Sequence, residues 1–325
     1  MKNSLFLILF LLFSGCATKD YYKPDRKFLE EGNITLEKTL SSEIEFFTKK
    51  SATLKNGGLS PEKKSIKKGF VSINNNLGKK GSILLVNNKK EIPFKKLIVT
   101  ATKKGNLIAV LFVDNSFKLF DLEKNSSIFE YKFSDSLGLR KFIATPLFYK
   151  DLLVIPTLNG KLAIFDLKEL KLIRTIVIAK KDYFNNLIFL GVKNDNLIAA
   201  TRGNLFVISP TNVFEKSFNI KHILVKDNNI FIFTNEGDIK KFDFHLKELN
   251  SISFKYANII SPIFVGDSLF FVENGNGSYL IKTDKNLSTK KVYKLVSENL
   301  SEVNTFAKNG ILYIGDEYID LKEIK

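Results

Sequence analysis

The sequence predicts an all-β chain folded as a single β-propeller of about seven four-stranded blades, with six and eight also fitting the spacing. Pairing of N- and C-terminal strands is expected to close the ring. Three observations lead there. Apolar residues fall in short runs broken by Asn, Asp and Gly pairs, the pattern of strands joined by tight turns. The runs repeat at intervals of about 32 to 45 residues, the period of a four-stranded unit. No stretch keeps a helical apolar period over three turns, and only residues 36–47 suit helix and strand equally. A pair of β-sandwich domains is the alternative, but the spacing is regular and no linker interrupts it.

The N-terminus comes first in the chain. Lys2 precedes an apolar run over residues 5–13, too short to span a bilayer and of signal-peptide length. Phe13-Ser14-Gly15-Cys16 follows, and Cys16 is the only cysteine. Small residues ahead of a cysteine resemble the lipobox of bacterial lipoproteins. Residues 1–15 are thus expected to be a signal peptide, Cys16 the lipidated residue, and 16–32 a polar tether. Several acyl chains, each contributing ~0.8 kcal/mol per buried CH₂, give stable anchoring. Ala17 after the cysteine, in place of Asp, fits delivery to the outer membrane at its periplasmic face. An ordinary signal peptide with an incidental cysteine is the alternative.

Residues 33–325 form the propeller domain. Its clearest repeat runs from Lys150-Asp151 through Leu152–Pro156, a turn at Asn159-Gly160, Lys161–Asp166, and a third strand over 170–178. A second copy opens at Asp227-Asn228-Asn229 and turns at Glu236-Gly237. Others open at Gly105-Asn106, Asp195-Asn196 and Gly266-Asp267, and residues 70–94 make a further blade. Asn-Gly and its relatives adopt the positive-φ turns that match the twist of hairpin strands. A short last copy opens at Asn309-Gly310. A strand from residues 34–40 or 51–55 is expected to complete it.

Composition argues against nucleic acid. The net charge is +16, yet Arg26, Arg140, Arg174 and Arg202 are the only arginines among 50 basic residues. Readers of bases and phosphates favour arginine's planar fork. The lysine excess reads as a solvated surface, with attraction to lipid head-group phosphates as the sharper alternative. Catalysis and cofactors find little support. The two histidines, His222 and His245, have no second histidine at metal-ligand spacing. Gly-x-Ser-x-Gly and calcium-loop motifs are absent. Asn274-Gly275-Asn276-Gly277 reads as hairpin turns, since no Lys-Ser/Thr follows. Asp121, Asp166, Asp243 and Asp320 recur at one place in the repeat, which points to turn capping. The expected catalytic, metal and cofactor sets are empty.

One segment stands outside the repeat: Asp135-Ser136-Leu137-Gly138-Leu139-Arg140, followed by Ala144-Thr145-Pro146. Apolar anchors beside a forked donor form the kind of patch that dominates protein interfaces. The order of Ser136 to Arg140, Ala144 to Pro146 and Asn159-Gly160 resembles the BamB family, propeller lipoproteins of the outer-membrane β-barrel assembly machinery. The resemblance implies eight blades and a non-catalytic scaffold. It also implies that Leu137, Leu139 and Arg140 contact the periplasmic POTRA domains of BamA, with unfolded outer-membrane proteins as further partners. Departures from the family are the absence of tryptophan and a second loop, 180–186, whose only acid is Asp182. A periplasmic propeller enzyme acting on glycan or phosphate substrates, and a surface ligand-binding lipoprotein, remain alternatives.

Overall fold

The computed structural model describes residues 20–38, 44–48, 51–54, 57–59, 65–67, 69–74, 77–136, 143–179, 186–275, 277–297, 300, 305–314 and 317–324. Cys16 lies outside them. The described chain forms eight sheets, seven of four strands and one of five. In chain order, blades 1 to 6 span 44–66, 71–93, 98–132, 147–177, 189–217 and 220–253; blades 7 and 8 span 259–296 and 305–320. Each of the first six is a meander in which consecutive strands pair antiparallel. The fold is the predicted propeller, and the blade count is eight where the repeat spacing indicated about seven.

The extra blade is blade 1, from a region without repeat grammar. Its strands are Ile44–Thr48, Ser51–Leu54, Gly57–Leu59 and Ser65–Ile66. Strands this short give too few alternations for a period to register. The ambiguous residues 36–47 therefore contribute strand, not helix, among the described residues.

Ring closure comes from two N-terminal strands, β1 (Leu29–Thr35) and β2 (Glu37–Lys38). Strand β2 pairs antiparallel with Glu317–Asp320, placing Glu37 opposite Tyr318 and Lys38 opposite Glu317. It completes blade 8, as expected of residues 34–40, whereas Ser51–Leu54 belongs to blade 1. Strand β1 adds in parallel to Lys291–Val296, the outer strand of blade 7, with Ile34 opposite Leu295. Residues 29–32, placed in the tether on their polarity, thus open a strand. The reason is local: an edge strand buries only one side, so its Glu30 and Glu31 are tolerated at the rim.

From blade 2 to blade 5, and again from blade 6 to blade 8, the first strand of each blade touches the first strand of the next. Those strands lie nearest the ring's centre. Fourth strands face outward: along Lys171–Val177 only Leu172 and Ile176 are partly covered. Blades 3, 4 and 6 each carry a bulge here, leaving Ile128, Ile173 and Leu249 without a partner in the register. Such bulges interrupt an edge that would otherwise template further strands.

The core is a series of layers between neighbouring blades. Between blades 3 and 4, Ala109, Leu111, Phe117 and Leu119 meet Leu153, Ile155, Ala163 and Phe165. Phe165 receives Phe117, Phe129 and Tyr131 edge-on at 4.8, 5.6 and 5.4 Å. Phenylalanine supplies the aromatic bulk in a chain without tryptophan. Turn chemistry follows the sequence: Asn115, Asn125, Asn194, Asp195, Asp227 and Asn309 all hold positive φ. The hairpins also link blades. Lys104 Nζ donates to the Lys150 carbonyl at 2.7 Å, Lys150 Nζ to Asp195 at 3.0 Å, and Asn194 to Asn228 at 2.7 Å.

Candidate functional site: a clamped inter-blade loop and a docked N-terminal segment

Leu137, Leu139 and Arg140 lie outside the described residues, as do residues 180–185. Asn115, fully buried at the turn of blade 3, organises the first foot. Its Nδ2 donates to the Ser134 carbonyl at 2.7 Å, while its Oδ1 accepts from the Leu158 amide at 2.7 Å. Asn159, from the predicted Asn-Gly turn of blade 4, donates to Ser134 Oγ at 3.0 Å. Ser136 Oγ donates to the Leu158 carbonyl at 2.9 Å. The loop therefore leaves from a polar knot joining the turns of blades 3 and 4.

Its return foot is equally fixed. Ala144 is buried, and its amide donates to the Leu187 carbonyl at 2.8 Å. Ala144 and Leu187 share one apolar cluster. Leu187 follows the second loop, so the two segments singled out by the sequence stand on a common foundation.

The recurrent aspartates cap turns. Asp121, Asp166 and Asp243 each accept two backbone amides through Oδ1, from Glu123 and Lys124, Lys168 and Glu169, and His245 and Lys247 respectively. Asp320 accepts from the Lys322 amide at 3.0 Å. Asp284, which the repeat analysis passed over, does the same in blade 7. Burial pushes its carboxyl up, but bonds from the Ser288 and Thr289 side chains and the Asn286 and Ser288 amides outweigh that and hold it at about 2.

The histidines serve packing. His222 Nε2 lies 3.2 Å from the Ile259 carbonyl, and the His245 ring sits edge-on to Phe214 at 5.2 Å. Among the described residues no three His, Cys, Asp or Glu side chains converge on a metal position.

A second constellation escaped the sequence reading. Tyr22 is 4% exposed and inserts where blades 6 and 7 meet, edge-on to Phe254 at 6.0 Å and Tyr279 at 6.4 Å. Lys290 Nζ sits 4.3 Å from the Phe254 ring centre, 5.3 Å from Phe28 and 5.4 Å from Tyr22. This aromatic box joins the N-terminal segment to the ring, and burial draws the Lys290 ammonium below its ordinary range. Beside it Glu273 is fully buried. Its Oε1 accepts from the Gly275 amide at 2.6 Å and the Asn258 amide at 3.3 Å. Neither its Oε2 nor the Tyr22 hydroxyl has a hydrogen-bond partner among the described residues. Burial pushes the Glu273 carboxyl up, against those amides and Lys221, and pushes the Tyr22 hydroxyl up, with Glu273 adding to it. The visible signal was Tyr21-Tyr22 in an otherwise polar stretch, and a glutamate ending the apolar run Leu269 to Val272.

Fold and closure define the class: an eight-bladed β-propeller locked by its own N-terminal strands. The solved structure of BamB from Moraxella catarrhalis is similar to it, with a TM-score of 0.62 at 15% identity over 87% of this chain and 98% of that one. The C-terminal WD40 domain of Sif2 aligns with a TM-score of 0.58 at 13% identity, over 88% and 96%. The computationally designed protein Ika8 gives 0.56 at 12% identity, over 90% and 98%. In sequence, the chain is similar to plasminogen-binding protein PgbB from two strains of Helicobacter pylori, 29% identical over 245 residues and 72% of this chain. The match covers 45% of those proteins, so the chain spans about half the length of the curated relatives it matches. No family model matches the chain.

Proposed function

We propose that this chain is a non-catalytic scaffold lipoprotein of the outer-membrane β-barrel assembly machinery, anchored through Cys16 at the periplasmic face and binding BamA. The observation that carries the reading is the fold: an eight-bladed ring similar to BamB over nearly the whole of both chains. The clamped feet of the loop bearing Leu137, Leu139 and Arg140 support it further. An interface anchor gains affinity when its support is rigid before binding. The ring's role is positional: it presents loops to the POTRA domains of BamA and helps hold unfolded barrel strands near them.

The test is affinity capture of the tagged lipoprotein, wild type against Leu137→Ala/Leu139→Ala/Arg140→Ala. BamA is expected with the wild type and lost with a variant whose thermal unfolding is unchanged. Absence of BamA from the wild-type capture would refute the scaffold reading.

The similarity to PgbB favours a second reading, a surface ligand-binding lipoprotein whose ligand class includes plasminogen. It predicts that protease added to intact cells removes the propeller, and that purified chain retains plasminogen. A protein protected in intact cells and released to protease only by outer-membrane permeabilisation excludes this reading.

A further inference from the structure

The docked N-terminal segment has a geometric consequence for a chain anchored at Cys16. A tether over 16–32 would reach about 55 Å when extended, at roughly 3.3–3.6 Å per residue, and would let the ring turn any face to the membrane. The structure shortens that reach. From Tyr22 the chain is held by Phe254, Tyr279 and the Lys290 box, and from Leu29 by strand pairing. Tyr22 lies only six positions after Cys16, a maximum of about 20 Å. That is no longer than a single blade strand.

We infer that the ring is held with the corner between blades 6 and 7 against the lipid surface, in one orientation. This rests on the lipoprotein reading and deepens it. The corner presents suitable chemistry. Tyr21 and Tyr256 are 39% and 45% exposed, and Lys255 Nζ lies over the Tyr256 ring at 4.8 Å. Lys23, Arg26, Lys27 and Lys255, on the same two segments as these tyrosines, are exposed as well. Tyrosines with an apolar body and polar tip settle at the head-group level, and lysines there meet phosphate oxygens. Asp25 and Glu30 are engaged by Lys27 at 3.3 Å and Lys291 at 3.5 Å, which reduces repulsion from the same phosphates. The clamped loop between blades 3 and 4 lies three blades away around a ring of eight.

The chain contains no tryptophan, so one introduced indole reports a single position. Lipidated protein carrying Tyr256→Trp, at the corner, or Ile173→Trp, on the outer strand of blade 4 and 53% exposed, is reconstituted in vesicles. The vesicles contain phosphatidylethanolamine and phosphatidylglycerol with brominated acyl chains. Fluorescence of Tyr256→Trp is expected to be quenched several-fold more than that of Ile173→Trp. Inserting twelve or so Gly/Ser residues after Ala17 is expected to abolish the difference, because the tether then spans the ring. Equal quenching of the two indoles on an acylated, vesicle-bound protein overturns the orientation and leaves the anchor standing. Cys16 without acyl mass, on a protein that does not float with vesicles, overturns both.

Discussion

Truncating Tyr22 gives the most direct measure of how firmly the N-terminal segment closes the ring. The side chain is almost wholly removed from water. An aromatic of this size buries about 200 Å², worth roughly 5 kcal/mol at about 25 cal/mol per Å². Against that stands a buried hydroxyl without a partner among the described residues, which costs about 2 kcal/mol. The net is about 3 kcal/mol, close to measured large-to-small changes at aromatic sites. Tyr22→Ala is therefore expected to lower the stability of the docked segment by about 3 kcal/mol. Tyr22→Phe keeps the ring and sheds the hydroxyl, so it should match the wild type or exceed it by about 1 kcal/mol. Because the segment is able to open without the rest of the propeller unfolding, hydrogen exchange at the amides of Leu29–Thr35 is the appropriate assay. The alanine variant should exchange there about a hundred-fold faster, with the first strands of blades 3 to 5 unchanged. Unchanged exchange in Tyr22→Ala, or faster exchange in Tyr22→Phe than in Tyr22→Ala, would refute the reasoning.

Three further outcomes follow from particular side chains. Burial raises the folded-state pKa of Glu273, so stability is lost as pH rises from the ordinary glutamate value through the folded one. Glu273→Gln keeps the Oε1 acceptor but cannot ionise; its melting temperature should equal the wild type's in acid and rise above it toward neutrality, and the reverse trend would mean that Lys221 dominates. Asp284 titrates at about 2 in the folded chain, below its unfolded value, so its contribution is present above ~4 and fades as pH falls toward 2. Asp284→Asn should accordingly lose about 1 kcal/mol in urea unfolding at neutral pH and little near pH 2. Gly237 holds φ +92°, and a Cβ there would lie 2.3 Å from the Phe254 carbonyl oxygen and 2.9 Å from the Ala257 amide nitrogen. Gly237→Ala should lower stability by about 3 kcal/mol or more in denaturant titration, whereas Gly203→Ala, with nothing within 4 Å, should stay within about 0.5 kcal/mol of wild type.

What the sequence revealed depended on how locally each feature is encoded. Blades 4 and 6 were legible almost strand for strand, because Asn159-Gly160 and Glu236-Gly237 mark hairpins whose chemistry lies within four residues. The aspartate caps were legible for the same reason, since each bonds amides two to four positions ahead. Blade 1 was not, its strands being too short to show alternation. Strand β1 was hidden by its polarity: its identity comes from Lys291–Val296, and no property of Glu30 or Glu31 announces that partner. The Lys290 box is likewise assembled from Tyr22, Phe28, Phe254 and Lys290, which only the closed ring brings together. Of the candidate interface, only the flanks Ser134 to Ser136 and Ala144 to Pro146 are among the described residues, and they lie between blades 3 and 4 as their order in the repeat implies. The role of Asn115 as their organiser was invisible, because a buried asparagine and a turn asparagine look alike in sequence.

The pairing of Glu37 with Tyr318 also sets a timetable for biogenesis. The two residues are about 280 positions apart, a contact that must wait until nearly all of the chain between them has been made. Blades 2 to 6 are each built from neighbouring residues and have no such wait. Until the last strand arrives, the nascent molecule is an open arc whose two ends both expose unsatisfied layers, and β2 has no edge to join. Proteases and chaperones therefore meet this protein in two distinct forms, and a lesion at either end is read as a failure to finish, not as a local defect.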